Sequence, residues 1–209
     1  MKPTHLIFDF GGVLFRWNPV RLIARVLPER ANTPEAADHW KDRFFQGYTG
    51  DWGAFDAGRI DADECRRRIA ARTGLAEDEV RAVMDAVPDA LQPIPESVAL
   101  LRRLRAAGHT LYFLSNMPAP YAQHLRRTHD FLIGFEDGVF SSEVQLVKPD
   151  PAIYALALKR FDIPVRDALF IDDHLGNVES ANRFGLSALL FTDAARLERD
   201  LASRGIRLD

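Results

Sequence analysis

Short, uninterrupted apolar runs separated by amphipathic stretches constrain this chain most. His5 to Phe10, Thr110 to Leu114, Ala168 to Ile171 and Ser187 to Phe191 are each too short for a helix and too uniformly apolar for a half-exposed strand. Strands of that kind are buried on both faces, so they belong to a mainly parallel sheet with helices on either side. The intervening segments supply those helices: Pro95 to Ala107 stopped by Gly108, Ala119 to Arg127, Asp150 to Phe161 with Pro151 in its first turn, Asn177 to Phe184 stopped by Gly185, and Ala194 to Arg204. Between Phe131 and Phe140 a turn is expected at Glu136-Asp137-Gly138, with a short strand near Val139. The fold class is therefore α/β, a three-layer Rossmann-like parallel sheet.

From Pro19 to Pro93 the pattern changes. No strong strand signal occurs, and helices are expected over Pro19 to Leu27, Pro34 to Phe45, Asp61 to Thr73 and Ala76 to Ala86. Asp61 with Glu64 has the spacing of a capping box, and Glu77-Asp78-Glu79 puts negative charge in a first turn. A helical crossover needs far fewer residues than this. The chain thus divides into an α/β core, residues 1–18 and 93–209, and a small inserted helical cap, residues 19–92.

Polar motifs stand where the strands end: Asp9 in LIFDFGGVL, Ser115 and Asn116 in LYFLSN, Lys148 in VKPD, and Asp172 and Asp173 in LFIDDHLGN. In open parallel sheets that edge is where ligands bind. Asp9 has no neighbour in sequence to neutralise it, and a carboxylate closing an apolar strand requires a cation or hydrogen bonds. Gly11 and Gly12 let the backbone approach a ligand closely. Two carboxylates with backbone carbonyl oxygen and water form a Mg²⁺-like ligand set, because that ion is hard and prefers oxygen. No cysteine or histidine cluster has zinc spacing, and His174 reads as a surface or outlying residue. Taken alone, Ser115-Asn116 reads equally as a turn or cap, and Lys148 as a solvated lysine. Joined to Asp9 and a divalent cation, they fit a phosphoryl group.

In order and spacing, DFGGVL, LSN, VKPDPAIY and FIDDHLGNVESANRFG resemble the haloacid-dehalogenase-like hydrolase superfamily, specifically the phosphatase branch with its cap between the first two motifs. The resemblance implies that Asp9 is a nucleophile, that Ser115 and Lys148 bind the transferred phosphoryl group, and that Mg²⁺ is held by Asp9, Asp173 and the Gly11 carbonyl, with Asp172 auxiliary. Asn177 stands where many members carry another acidic residue. Gly11 departs from the pattern: many phosphatases of this superfamily have there an aspartate that protonates the leaving group. A glycine at that position is similar to bacterial sugar-1-phosphate phosphatases, which suggests a hexose 1-phosphate. Dehalogenation at carbon by the same aspartate, and binding of a phosphometabolite without turnover, are the alternatives.

Substrate contacts are expected from Gly11, Gly12, Trp17, Asn18, Ser115, Asn116 and Lys148. The aromatic, glycine-rich span Trp40 to Phe55 reads as cap packing with permissive loops. The cap carries 12 Lys or Arg against 14 Asp or Glu between Phe15 and Gln92, and the whole chain has a net charge of -3, so a small phosphorylated metabolite is expected rather than nucleic acid or a membrane. The single cysteine, Cys65, reads as an exposed or partly buried structural thiol. Together with a start lacking a signal-peptide core, it gives an expectation of a cytoplasmic protein. Oligomeric state is left open.

Overall fold

The computed structural model describes residues 5–208. Five parallel strands, β1 (His5–Phe8), β2 (Thr110–Ser115), β3 (Asp137–Phe140), β4 (Ala168–Asp172) and β5 (Ser187–Leu190), lie in the order β3-β2-β1-β4-β5. β1 is central, pairing with β2 in the register Ile7 to Tyr112 and with β4 in the register Ile7 to Phe170. The chain builds outward from β1 in one direction and then returns to build in the other. The carboxyl ends of β1, β2 and β4 therefore border the crevice where the strand order reverses.

Alternation along β1 sends Leu6 and Phe8 into one buried cluster with Leu100, Leu104 and Leu197, and Ile7 into a second with Tyr154 and Val178. Helices Pro95–Ala106, Ala119–Thr128 and Ala194–Ser203 cover the first face, and Pro151–Phe161 and Leu175–Phe184 the second. This is the expected three-layer arrangement. Two of these helices start on side-chain caps, Asp150 accepting from Ala152 N and Asp193 from Arg196 N, and Leu175–Phe184 stops at Gly185 with φ 96°.

Two expectations about local structure are corrected. The turn at Glu136-Asp137-Gly138 is mostly strand, since β3 begins at Asp137. Gly138 stands there because a Cβ would lie 2.1 Å from the Phe113 ring, so glycine makes room for a packed aromatic. Cys65 is fully buried, its Sγ 3.8 Å from the Asp51 carbonyl, and burial first, then Asp51, pushes the thiol up to about 12.

Every regular element between β1 and Pro93 is helical: Pro19–Val26, Pro34–Phe45, Gly50–Asp56, Ala62–Thr73, Glu77–Asp85 and Val87–Ala90, with a 3₁₀ turn at Gln46–Tyr48. Asn18, Thr33 and Asp61 cap three of these helices, and the Glu79 side chain accepts from Ala76 N. The helix Gly50–Asp56 occupies what reads from sequence as permissive loop. Gly53 is there for space, since a Cβ would come within 2.6 Å of the Tyr48 carbonyl.

The chain's two passages between sheet and insertion run side by side. Arg16 N donates to Gln92 O at 2.7 Å and Ile94 N to Leu14 O at 2.8 Å. Phe44, Phe45, Trp52 and Phe55 are buried in the same cluster as Phe8, so one apolar core continues from the sheet into the insertion. Each such side chain contributes roughly 1.5–3 kcal/mol by burial. Trp52 meets Phe45 edge-on at 4.6 Å and stacks at 6.4 Å on Tyr121, whose hydroxyl donates to Met84 O.

Candidate active site

Asp9 leaves β1 with its N–H still in the sheet, donating to Ile171 O at 2.9 Å. Phe8 and Phe10 on either side are buried in the core, Phe10 against Phe113 and Phe140, and this alternation leaves the Asp9 carboxylate to face the crevice. Leu14 and Phe15 N–H both bond back to Phe10 O, so the turn after Asp9 is closed tightly.

Lys148 is brought to Asp9 from the far side. Its ammonium lies 2.8 Å from Asp9 Oδ1 and 2.6 Å from Asp172 Oδ2, with only 1% of the side chain exposed. Asn116 clasps the same residue by its backbone, accepting from Lys148 N at 2.8 Å and donating to Lys148 O at 2.9 Å. Burial opposes a charge on Lys148, but Asp172 and Asp9 outweigh it and hold the ammonium above the usual lysine range.

Asp172 is entirely buried and its oxygens are well supplied with donors: His174 N at 2.8 Å, Asn177 Nδ2 at 3.1 Å to each oxygen, and Lys148. Asn177 is itself held by its carbonyl, which accepts from Tyr154 Oη at 3.0 Å. Asp173 turns the other way, over Gly12. Gly12 has φ 74°, and a Cβ there would lie 2.0 Å from Asp173 Oδ2, so the glycine is required both by the turn and by the carboxylate resting on it.

Oxygens of Asp9, Asp172 and Asp173 all lie within 4.8 Å of one another. Desolvation, against the pull of Lys148 and with the neighbouring aspartates adding to it, raises Asp9 to about 7. Desolvation and then Asp172 raise Asp173 to about 6. Three carboxylates facing one ammonium leave an excess negative charge, and among the described residues Lys148 is the one cation paired with Asp9 and none is paired with Asp173. This donor set fits a hard divalent cation such as Mg²⁺, with carboxylate oxygens of Asp9, Asp172 and Asp173 brought together to meet it.

Above this floor is a cavity of ≈ 370 Å³ that also takes in Ser115, at the end of β2, and Gly11. Its upper walls are largely apolar, formed by Trp17, Trp52, Val87, Leu91, Met117 and Tyr121, with Tyr48, Thr49 and Asp56 among the polar groups from the cap. Trp17 donates through Nε1 to Tyr48 Oη at 2.8 Å, tying the start of the insertion to its aromatic turn.

Asp9, Gly11, Trp17, Ser115, Asn116, Lys148 and Asp173 thus surround one cavity. Asn18 and Gly12 do not line it. Asn18 Oδ1 caps Pro19–Val26 by accepting from Arg21 N at 2.9 Å, and Gly12 lies behind Asp173. Sequence reasoning passed over Val87, Leu91, Met117, Tyr121 and Asp56. Only Asp56 carried a visible signal, a carboxylate at the i+4 position from Trp52 on the apolar side of a short helix.

A Rossmann-like sheet presenting a buried lysine and clustered aspartates at its reversal point, under an inserted helical cap, defines a class of hydrolases that react at the strand ends. The chain belongs to the haloacid dehalogenase-like hydrolase family, whose profile matches residues 3–185. It is similar to the sesquiterpene phosphatase astK of Aspergillus oryzae, 32% identical over 90% of this chain and 89% of that protein. It is also similar to the (S)-2-haloacid dehalogenase H-109 of Pseudomonas putida, 30% identical over 88% of this chain and 84% of that one. Among solved structures, a family enzyme of Bacteroides thetaiotaomicron in complex with magnesium and inorganic phosphate superposes with a TM-score of 0.72 at 23% identity, covering 93% of this chain and 98% of the other. Among the described residues no helix is long and apolar enough to cross a membrane.

Proposed function

We propose that this hydrolase is a Mg²⁺-dependent phosphomonoesterase acting through Asp9 on a small phosphorylated metabolite whose alcohol portion is apolar. The observation that carries this reading is the cavity itself: an anion-binding floor of Lys148 and Ser115 beside three clustered carboxylates, roofed mainly by aromatic and aliphatic side chains. Its volume falls within the roughly 300–1,000 Å³ of small-molecule sites. The similarity to a sesquiterpene phosphatase supports an isoprenoid or comparable alkyl chain. A hexose 1-phosphate, suggested by the glycine at position 11, would find Thr49, Tyr48 and Asp56 as the main cap groups for its hydroxyls. Desolvating several hydroxyls against indole and leucine surfaces is costly without partners, so the apolar reading is favoured.

In the proposed reaction the Asp9 carboxylate attacks phosphorus in line with the departing alcohol oxygen. Lys148, already at hydrogen-bond distance from Asp9, neutralises a phosphoryl oxygen, and the Ser115 hydroxyl donates to another. Asp172 and Asn116 fix the two ends of Lys148, so it need not reorganise as charge develops. Mg²⁺ held by Asp9, Asp173 and the Gly11 carbonyl would screen the repulsion between carboxylate and phosphate. Water then hydrolyses the aspartyl-phosphate.

The dehalogenase relative keeps a second reading in view, in which Asp9 attacks carbon and expels halide. The charge balance argues against it, because a metal-free displacement has no use for Asp173 beside Asp9 and Asp172. Phosphate release from a panel of isoprenyl, alkyl and sugar monophosphates decides between the readings. Turnover is expected with Mg²⁺, highest on the apolar esters, and lost on chelation or on Asp9→Asn. Metal-independent phosphate release, or halide release from a 2-haloacid, would sink the phosphatase mechanism, and saturable binding without turnover would identify a non-catalytic binder.

A further inference from the structure

An alkyl phosphate of the kind just proposed raises a difficulty that position 11 does not resolve. An alkoxide is a poor leaving group, an apolar alcohol brings no acid of its own, and Gly11 has no side chain to protonate it. Space is not the obstacle, since a Cβ on Gly11 would meet nothing closer than Trp17 Cβ at 3.8 Å. The cap, however, brings a carboxyl group into the same cavity.

Asp56 ends the helix Gly50–Asp56, is only 4% exposed, and shares the cavity with Asp9, Ser115 and Lys148. It is not part of the carboxylate cluster at the strand ends. Among the described residues no cation lies within ion-pair distance of it, in contrast to Asp9 and Asp172, which share Lys148. Burial raises Asp56 well above the ordinary carboxylate value, and nearby Asp9 adds to this, while Lys148 and the Trp52 side chain offset it only in part. A buried carboxyl without a cation partner favours its protonated form, which can donate that proton while its other oxygen accepts from Trp52.

Its position is fixed from the core. Ser141 Oγ donates to the Asp56 carbonyl at 2.5 Å and accepts from Met117 N at 2.9 Å, so Asp56 is two hydrogen bonds from the segment that follows Ser115. Gly58 packs so closely on the Ser142 carbonyl that a Cβ would come within 2.5 Å of it, and Arg59 Nη2 donates to Gln145 O at 3.2 Å. This short stretch of cap is therefore fastened to the core directly beside the phosphoryl site.

Building on the phosphatase reading, we propose that Asp56 is the proton donor to the leaving oxygen, supplied by the cap in place of a side chain at position 11. In the first displacement the Asp9 oxygen–phosphorus bond forms, the phosphorus–alkoxy bond breaks, and the Asp56 proton passes to the departing oxygen to give a neutral alcohol. In the second, a water oxygen bonds to phosphorus, the bond to Asp9 breaks, and the water's proton returns to Asp56. Atoms and charge balance without a further reactant.

The test compares leaving groups. With Asp56→Asn, kcat/KM on an isoprenyl or alkyl monophosphate should fall by about 10²–10⁴, the usual contribution of general acid catalysis. The fall on p-nitrophenyl phosphate, whose phenolate departs without a proton, should be at least about tenfold smaller. Adding Gly11→Asp to the Asp56→Asn protein should raise alkyl-phosphate turnover above that of the single variant. Equal losses on both esters would show that Asp56 is structural and overturn the proposal, as would no loss on either. If the unmodified protein releases phosphate from neither ester, the phosphatase reading itself fails, and this result is distinct from both.

Discussion

Removing the charge of Lys148 tests the electrostatic account of the site without reference to any substrate. Lys148→Met keeps the length and apolar stem of the side chain and deletes only the ammonium. Asp172, completely buried, and Asp9, whose side chain is 11% exposed, then lose the cation they share at 2.6 and 2.8 Å. Breaking one buried pair costs about 3–5 kcal/mol because the remaining charge is left uncompensated. Asp172 retains the His174 and Asn177 donors, which keeps the expected loss near that of one pair rather than two. For a chain of this length the loss corresponds to a fall in melting temperature of roughly 6–20 °C.

The sign of its pH dependence follows from linkage. Without Lys148, whose charge pulls Asp9 down, the native Asp9 carboxyl lies further above its unfolded value, so the native state holds a proton that the unfolded state releases. Stability is then lost as pH rises from the unfolded value of about 4 toward the raised native value of Asp9, and is regained on acidification as Asp9 takes up its proton. Urea unfolding near pH 5 and near pH 8 checks this, with the larger loss expected at the higher pH and partial recovery on adding Mg²⁺. A loss below about 1 kcal/mol near pH 8, or one identical at both pH values, would refute the claim that Lys148 is what makes the buried carboxylates tolerable.

Two further outcomes are expected at the cation site. Because Asp173 is raised to about 6 and Asp9 to about 7, divalent-cation affinity should climb as pH rises through that interval, with protons released on binding. Calorimetry in buffers of different ionisation enthalpy would detect the release, and binding without it would contradict the assigned ligands. Gly12→Ala forces a Cβ into a φ of 74° and against Asp173 Oδ2, which should cost about 1–2 kcal/mol of stability. Cation affinity should fall about tenfold with it, since displacing Asp173 moves a ligand, and unchanged binding by titration would remove Asp173 from the ligand set.

The sheet was readable because strands buried on both faces leave uninterrupted apolar runs, and the aspartates and serine of the floor because they close those runs; Lys148, expected at a strand end, instead stands in the loop between the short helix Ser141–Val144 and Pro151–Phe161. Asp9, Ser115 and Asp172 needed only the rule that such strands deliver their ends to one edge. The cap was harder for identifiable reasons. Gly50 and Gly53 disguised the helix Gly50–Asp56, since glycine ordinarily signals a break, whereas Gly53 here admits the Tyr48 carbonyl. Gly138 hid the start of β3 in the same way, by making room for Phe113. The cavity walls combine Val87 and Leu91 from the cap with Met117 and Tyr121 from the core. No local pattern announces a surface assembled from residues that far apart in sequence.

The hydrogen bonds also separate two duties that the strand-end motifs seemed to share. Asn116 and Asp172, both candidates for direct contact with ligand or metal, direct their side chains to Lys148, one to its backbone and the other to its ammonium. A lysine held at both ends would present the same charge in the same place to any phosphate, so in the proposed reaction this floor does not discriminate between alcohols. Discrimination then falls to the cavity walls, built by the cap together with Met117 and Tyr121, where one added or missing methylene is worth about 1–3 kcal/mol. Asp56 lies in that wall and is fastened to the core through Ser141. The cap element that selects the alcohol thereby also holds the group proposed to protonate it, so a poorly fitting alcohol would be penalised in proton transfer as well as in binding.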